Sequence, residues 1–430
     1  IMRTLTHRIP GLVLTDHTFN LPIDYARPAD GTLTVFAREV VSPEHEHADL
    51  PWLIFLQGGP GFGSPRPEVT TEWVMRAIRD YRVLLLDQRG TGRSSPINAQ
   101  TLARLGTPDR QAAYLKHFRA DNIVRDAEAI RRELIGDQPW SALGQSYGGF
   151  CITTYLSLAP QGLREAFITG GLPPLHHHPD DVYRATYRRV LGKNKKYFER
   201  YPDDVQRARD IADYLANHDV RLPNGDRLSV RRFQQLGMPF GASDGFEKVH
   251  YLLEEAFVEG ASGREINFAF LRGYDYLMPF DPSPIYAIFQ ELCYTEGEAA
   301  NWSAERIRAE FPEFNDAPDR PLLFTGEMVY PWMFDEYAGL RPLKEAAHLL
   351  ATAADWPKLY DKAVLQHNAV PVAAAMYYDD MYVERALSEE TASLIKGLKV
   401  WATSEYEHNA LRSDGARVLG RLMDMLHGKA

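Results

Sequence analysis

The sequence predicts an α/β fold with a mostly parallel central sheet and an inserted, mainly helical block. Three observations carry this. Short apolar runs alternate with amphipathic stretches through the first 170 residues, a highly charged helical stretch then interrupts them, and the alternation resumes near residue 370. Strands written as continuous apolar runs belong to sheets covered on both faces, and such sheets are mostly parallel.

Taken in order, "LTVFAREVV" (33–41) alternates and predicts a strand. "PWLIFLQ" (51–57) is a short apolar run that leads into glycines, and "YRVLLLDQRG" (81–90) repeats that arrangement. "NIVRDAEAIRRELIG" (122–136) has apolar residues at helical spacing and stops at Gly136. "WSALGQS" predicts a strand, "YGGFCITTYLSLAP" a helix and "LREAFITGGL" a strand. From residue 176 the chain becomes charged and helical in period, and aromatic-rich helical segments continue to about 364, including 289–311. "VPVAAAMYYDD" (370–380), "SEETASLIKG" (388–397) and "LKVWATSEYEH" (398–408) then read as strand, helix and strand. The expected organisation is a core over 1–175 and 365–430, with a helical cap over 176–364.

Composition narrows the function. At 430 residues the chain is long for one compact domain and comfortable for a domain with a large insertion. A formal net charge of -10 argues against a nucleic-acid partner, because phosphate binding needs a basic face. No apolar stretch approaches the roughly 20 residues that span a bilayer, so no membrane association is expected. "IMRTLTHRIPG" lacks the apolar run of a signal peptide, and Ile1 before Met2 reads as an added residue. Two cysteines, Cys151 and Cys293, exclude a disulfide framework and predict a reduced, cytoplasmic protein.

The chemistry is concentrated in "ALGQSYGGF", where Gly144-Gln145-Ser146-Tyr147-Gly148 stands between a predicted strand and a predicted helix. In G-x-S-x-G the serine occupies a cramped strand-to-helix corner with its hydroxyl held above the sheet. A serine hydroxyl is a weak nucleophile at neutral pH and needs a base, which in turn needs an orienting carboxylate. In the α/β-hydrolase order both follow the serine, acid before histidine. Of the histidines after Ser146, only His408 and His427 follow the last core acid. His408 closes the polar loop "SEYEH", whereas His427 sits in the terminal "LHGKA" and is expected to fray. The acid should end the preceding strand, where Asp379 and Asp380 stand side by side; their side chains point to opposite faces, and periodicity does not choose between them. The oxyanion of a tetrahedral intermediate needs backbone donors. One is expected from Tyr147 and the other from the glycine-rich "QGGPGFGS" (57–64), around Gly58 and Gly59.

At these residues the chain resembles the prolyl aminopeptidases (proline iminopeptidases) in their longer bacterial form. "QGGPGFGS", "LLDQRGTGRSS", "GQSYGGF", "MYYDDMYV" and "EYEHNALR" carry the resemblance, which covers nearly the whole chain and is looser in the cap. Those proteins are α/β-hydrolase serine peptidases that remove an N-terminal proline. The resemblance implies peptide substrates with a free N-terminal proline, Ser146 as nucleophile and His408 as base. The family's acid-to-histidine separation favours Asp380. It also implies cap glutamates for the substrate amine, ranked Glu327, Glu291, then Glu254 or Glu255, with aromatics such as Tyr274, Tyr276, Tyr330, Trp332 and Phe334 as candidates around the proline ring. Gln57 replaces the histidine that more usually opens the glycine loop. Asp87, Arg89 and the segment from Gly90 to Ser94 are expected to brace the neighbouring loop. No cofactor is expected, and no metal at His176, His177 and His178, because consecutive loop histidines rarely converge on one ion. Cys151, five residues after Ser146, is expected to pack as a small apolar residue whose modification by bulky thiol reagents would disturb the site. The rival readings are an esterase or amidase on neutral acyl substrates, which would not need a free amine, and a binding protein without turnover.

Overall fold

A computed structural model describes residues 3–68, 72–175, 177–261 and 263–429. Among the described residues nine strands form one sheet. They are β1 (Arg3–Ile9), β2 (Leu12–Pro22), β3 (Thr32–Val41), β4 (Trp52–Leu56), β5 (Arg82–Asp87), β6 (Trp140–Gln145), β7 (Leu163–Thr169), and, after a two-stranded hairpin of β8 (Phe257–Gly260) and β9 (Gly263–Ile266), β10 (Val372–Tyr377) and β11 (Lys399–Thr403). Their order is β1-β2-β3-β5-β4-β6-β7-β10-β11. The first three strands pair antiparallel, as does β3 with β5, and every later pair is parallel.

The apolar strands are buried on both faces. In β5, Leu84 and Leu86 enter one apolar cluster and Val83 and Leu85 the other; Ile54 and Leu56 of β4 oppose Leu53 and Phe55 in the same way. The helices Ala120–Ile135 and Tyr147–Leu158 cover the first face, and Glu72–Ala77 and Gly415–Leu426 the second. The predicted core elements correspond to observed ones within a few residues at each end.

Two features depart from the sequence reading. The hairpin of β1 and β2 was not anticipated, because Asp16 and His17 give β2 the composition of a loop. Both are buried: Asp16 binds the Arg38 guanidinium at 2.7 Å, and His17 lies 2.9 Å from Glu39. Charged side chains in the interior are stable when paired. The stretch 289–311 is not one long helix. A helix ends at Phe289, a single 3₁₀ turn spans Leu292–Tyr294, and helix resumes only at Ser303. Asn301 and Trp302 have φ of 49° and 57°, a left-handed backbone that no helix continues through.

The helices between β7 and β10, beginning with Pro179–Arg200, interrupt two strands that are direct neighbours in the sheet. They are therefore an excursion from the core and sit where they can roof its strand ends. No helix among the described residues is long and apolar enough to cross a membrane.

Candidate active site

Ser146 stands between the end of β6 and the helix Tyr147–Leu158, with φ 54° and ψ −124°. A non-glycine residue in this region is strained, and such strain persists only where surrounding structure imposes it. The corner is held by Ser146 N–H donating to Thr169 O at 2.9 Å and by Gly149 N–H donating to Ser146 O at 2.8 Å. Gly148 has no room for a side chain: a Cβ there would lie 1.9 Å from the Leu56 carbonyl oxygen. At Gly58 a Cβ would stand 2.9 Å from the Ser146 Cβ and 3.6 Å from its Oγ, so the glycine lets the loop backbone lie against the serine. The motif's glycines therefore serve close approach.

The structure brings His408 to Asp380. His408 Nδ1 and Asp380 Oδ2 are 2.6 Å apart, and the other carboxylate oxygen accepts from the Tyr382 and Val383 amides at 2.9 and 3.0 Å. Both residues are buried, and the His408 ring lies 4.8 Å from that of Tyr382. Burial alone would lower the His408 pKa. The Asp380 charge and hydrogen bond, helped by the charge of Glu327, outweigh it and leave the pKa raised. Asp379 points elsewhere, to Lys196 and to Arg189 on the helix Pro179–Arg200. His427 does not fray: its Nε2 lies 2.9 Å from Glu165, which anchors the terminal helix to β7.

A cavity of about 200 Å³ gathers Gly58, Gly59, Ser146, His408 and Glu327. Its aromatic wall is Phe62, Tyr286 and Tyr382. None of these three was singled out from sequence, since an aromatic in a strand or cap looks the same whether it faces a core or a cavity. Of the aromatics that were, Tyr276 is 89% exposed, and Tyr274 and Tyr330 are buried with their hydroxyls bonded within the cap.

Glu327 accepts a hydrogen bond of 2.5 Å from the Tyr286 hydroxyl. Its carboxylate touches the cavity but is otherwise walled by protein, and that burial pushes its pKa up to about 7 against the relief supplied by Tyr286 and His408. Glu291 does not line this cavity. Its two oxygens accept from the Ser303 and Ala304 amides at 2.9 and 2.8 Å, satisfying donors that open the helix Ser303–Arg308. Glu254 and Glu255 are exposed on the cap.

Of the bracing residues, Asp87 and Arg89 are buried and paired, whereas Gly92 and Arg93 are exposed. Asp87 accepts from the Ser64 and Arg93 amides at 2.9 and 2.8 Å and binds Arg66, while Arg89 is held by Asp126. Gln88 donates to the Gln57 carbonyl at 3.0 Å, so the glycine loop is held through main chain where Gln57 stands. His177 approaches Glu390, and His178 caps its helix by accepting from the Asp180 amide; His176 lies outside the described residues. Among the described residues no acid, histidine or cysteine group is arranged to hold a metal. Cys151 is fully buried and its thiol pKa is pushed far up by burial, which removes the ground for expecting it to react in the folded protein.

One contact went unforeseen. Lys193, 3% exposed, donates to both oxygens of Glu407 at 2.7 Å, and Glu407 adjoins His408. The same cap helix holds Glu384 through Arg189 at 2.7 Å and Asp379 through Lys196. These cations tie the cap to the loops that carry His408 and Asp380. Lys193→Met is expected to lower kcat for the site's reaction about tenfold by loosening the His408 loop, with Lys193→Arg recovering part of the loss. Equal kcat in Lys193→Met and wild type would remove the tie from the account.

Residues 51–256 match the family model of the alpha/beta hydrolase fold. A proline iminopeptidase of Aeromonas sobria is 51% identical over 420 residues, spanning 97% of this chain and 98% of that protein. The proline iminopeptidase aneH of Aspergillus aculeatus is 37% identical over 431 residues, spanning 97% of this chain and 94% of its own length.

Proposed function

This chain belongs to the proline iminopeptidase family of α/β-hydrolases, and from that premise we propose that Ser146, Asp380 and His408 are the triad by which it releases N-terminal proline. It is a serine aminopeptidase. The observation that supports the triad best is the 2.6 Å contact of His408 with Asp380 at a cavity that also exposes the strained Ser146.

With Nδ1–H donated to Asp380, His408 keeps Nε2 as the acceptor for the Ser146 proton. Ser146 Oγ attacks the proline carbonyl as His408 takes the proton, and the carbonyl electrons move to oxygen. The oxyanion is met by the Tyr147 amide, which opens a helix and has no partner within it, and by the amides of the Gly58–Gly59 loop. Collapse breaks the C–N bond while His408 gives its proton to the departing amine. Water, deprotonated by His408, then cleaves the acyl-enzyme and restores Ser146.

Glu327 pairs with the secondary ammonium of the substrate proline, and Phe62, Tyr286 and Tyr382 pack its ring. Residues 176–364 act as the cap that limits the cavity to a chain terminus. Two unpaired cysteines suit a reducing compartment, and we read the enzyme as cytoplasmic.

The pH profile follows from two groups. Below about pH 7 Glu327 takes up a proton and no longer offsets an ammonium; His408, its pKa raised by Asp380, also charges on the acid side and then cannot act as a base. Both losses lie on the acid limb, so log kcat/KM against pH should approach a slope of two there in wild type and of one in Glu327→Gln. A slope of one in both would separate Glu327 from catalysis. The alkaline limb belongs to the substrate amine, which loses its proton near or above about pH 8.

A further inference from the structure

The cavity holds a second charge that the mechanism leaves unused. Arg412 lines it at its exposed side, four residues after His408. Its Nε donates to Gln145 Oε1 at 3.5 Å. Among the described residues neither terminal guanidinium nitrogen has a hydrogen-bond partner, and no carboxylate lies within ion-pair distance. Arg38, Arg66, Arg82 and Arg89, elsewhere in the α/β core, are by contrast each bound to a carboxylate. Arg412 and Glu327 share a cavity without pairing, so the cavity carries one acid and one cation, each open to a ligand.

A guanidinium whose Nε faces Gln145 leaves its two outer nitrogens as a fork, the geometry that binds a carboxylate through two parallel hydrogen bonds. The substrate that brings both an ammonium and a carboxylate to so small a space is a dipeptide. Its ammonium is on proline, and its carboxylate is on the leaving residue, two bonds beyond the nitrogen that departs. A longer peptide offers a neutral carbonyl at that point. The cavity's size agrees, since about 200 Å³ lies below the roughly 300–1,000 Å³ of pockets that hold drug-sized ligands.

We propose that Arg412 is the subsite for the free carboxylate of the leaving residue, so that the enzyme prefers prolyl dipeptides to prolyl amides and longer peptides. This rests on the proline-releasing reading above. Arg412 touches the leaving group and takes no part in proton transfer.

The test is the ratio of kcat/KM for Pro-Ala to that for Pro-Ala amide, in wild type and Arg412→Gln, with proline β-naphthylamide assayed alongside. The expected ratio is about tenfold or more in wild type, for one charge-assisted pair at a partly solvated site, falling towards one in Arg412→Gln. Added salt should lower the wild-type ratio by screening. Should Arg412→Gln fail to fold, Arg412→Lys keeps the charge but loses the fork, and an intermediate ratio is expected. A wild-type ratio near one, or a ratio that either variant leaves unchanged, overturns the subsite while proline release from β-naphthylamide continues. Failure to release proline from any of the three substrates would instead overturn the underlying function, and the subsite with it.

Discussion

Ser146→Ala is expected to lower kcat for proline release by about 10⁵- to 10⁶-fold, the scale on which loss of a triad serine acts. The residual rate comes from the oxyanion donors and substrate binding. The fold should survive, because among the described residues the Ser146 Oγ holds no hydrogen bond that the structure needs, and the corner is fixed by main-chain contacts to Thr169 and Gly149. Alanine keeps the strain of φ 54° without removing a packing group. A melting temperature within about two degrees of wild type, beside a turnover rate near background, is the expected pair of results. A variant that retained a tenth of wild-type turnover would place the nucleophile elsewhere.

Glu327→Gln is expected to lower kcat/KM for free-amine substrates roughly 10²-fold, with most of the loss in KM. Removing one partner of a largely buried ion pair costs about 3–5 kcal/mol, and the loss here is smaller because glutamine still accepts a hydrogen bond. The same substitution has an opposite effect on stability. Folding raises the Glu327 pKa from its ordinary 4.5 to about 7, so the folded state favours the protonated form. The destabilisation is absent well below pH 4.5, grows between 4.5 and 7, and is complete above 7. Glutamine has no such charge to bury, and the Tyr286 hydroxyl retains an oxygen to donate to. The variant should therefore gain melting temperature over wild type at pH 8 and not at pH 4.5. Loss of affinity together with a gain of stability marks a group held in a costly state for binding. Parallel losses of both would make Glu327 a structural residue.

The parts of this molecule that were legible in its sequence are those fixed by local chemistry. Ser146 was visible because a corner this tight demands glycines at fixed offsets, and the apolar runs of β4 and β5 because strands covered on both faces carry apolar residues at successive positions. The placement of Glu327, Phe62, Tyr286 and Tyr382 around one cavity depends on how the cap folds back over the sheet, which no local pattern encodes. Glu291 shows the limit from the other side. It looked like Glu327, an acid among aromatics, yet its carboxylate serves the Ser303 and Ala304 amides of a helix that begins twelve residues later. Asp379 and Asp380 were indistinguishable by periodicity, and what separates them in space is the cap helix, whose Lys196 and Arg189 take up Asp379. Lys193 could not have been found at all, since its partner Glu407 is more than two hundred residues away.

The central claim is that proline release depends on a free substrate amine held beside Ser146. The most direct measurement compares kcat/KM of the wild-type enzyme for a proline reporter amide with that for its N-acetyl derivative, which has the same scissile bond and no positive charge. The account predicts rapid release from the free-amine substrate and release at least about 10²-fold slower from the acetylated one. Equal rates on the two would contradict it, and would assign the site to a general amidase or esterase that does not read the N-terminus.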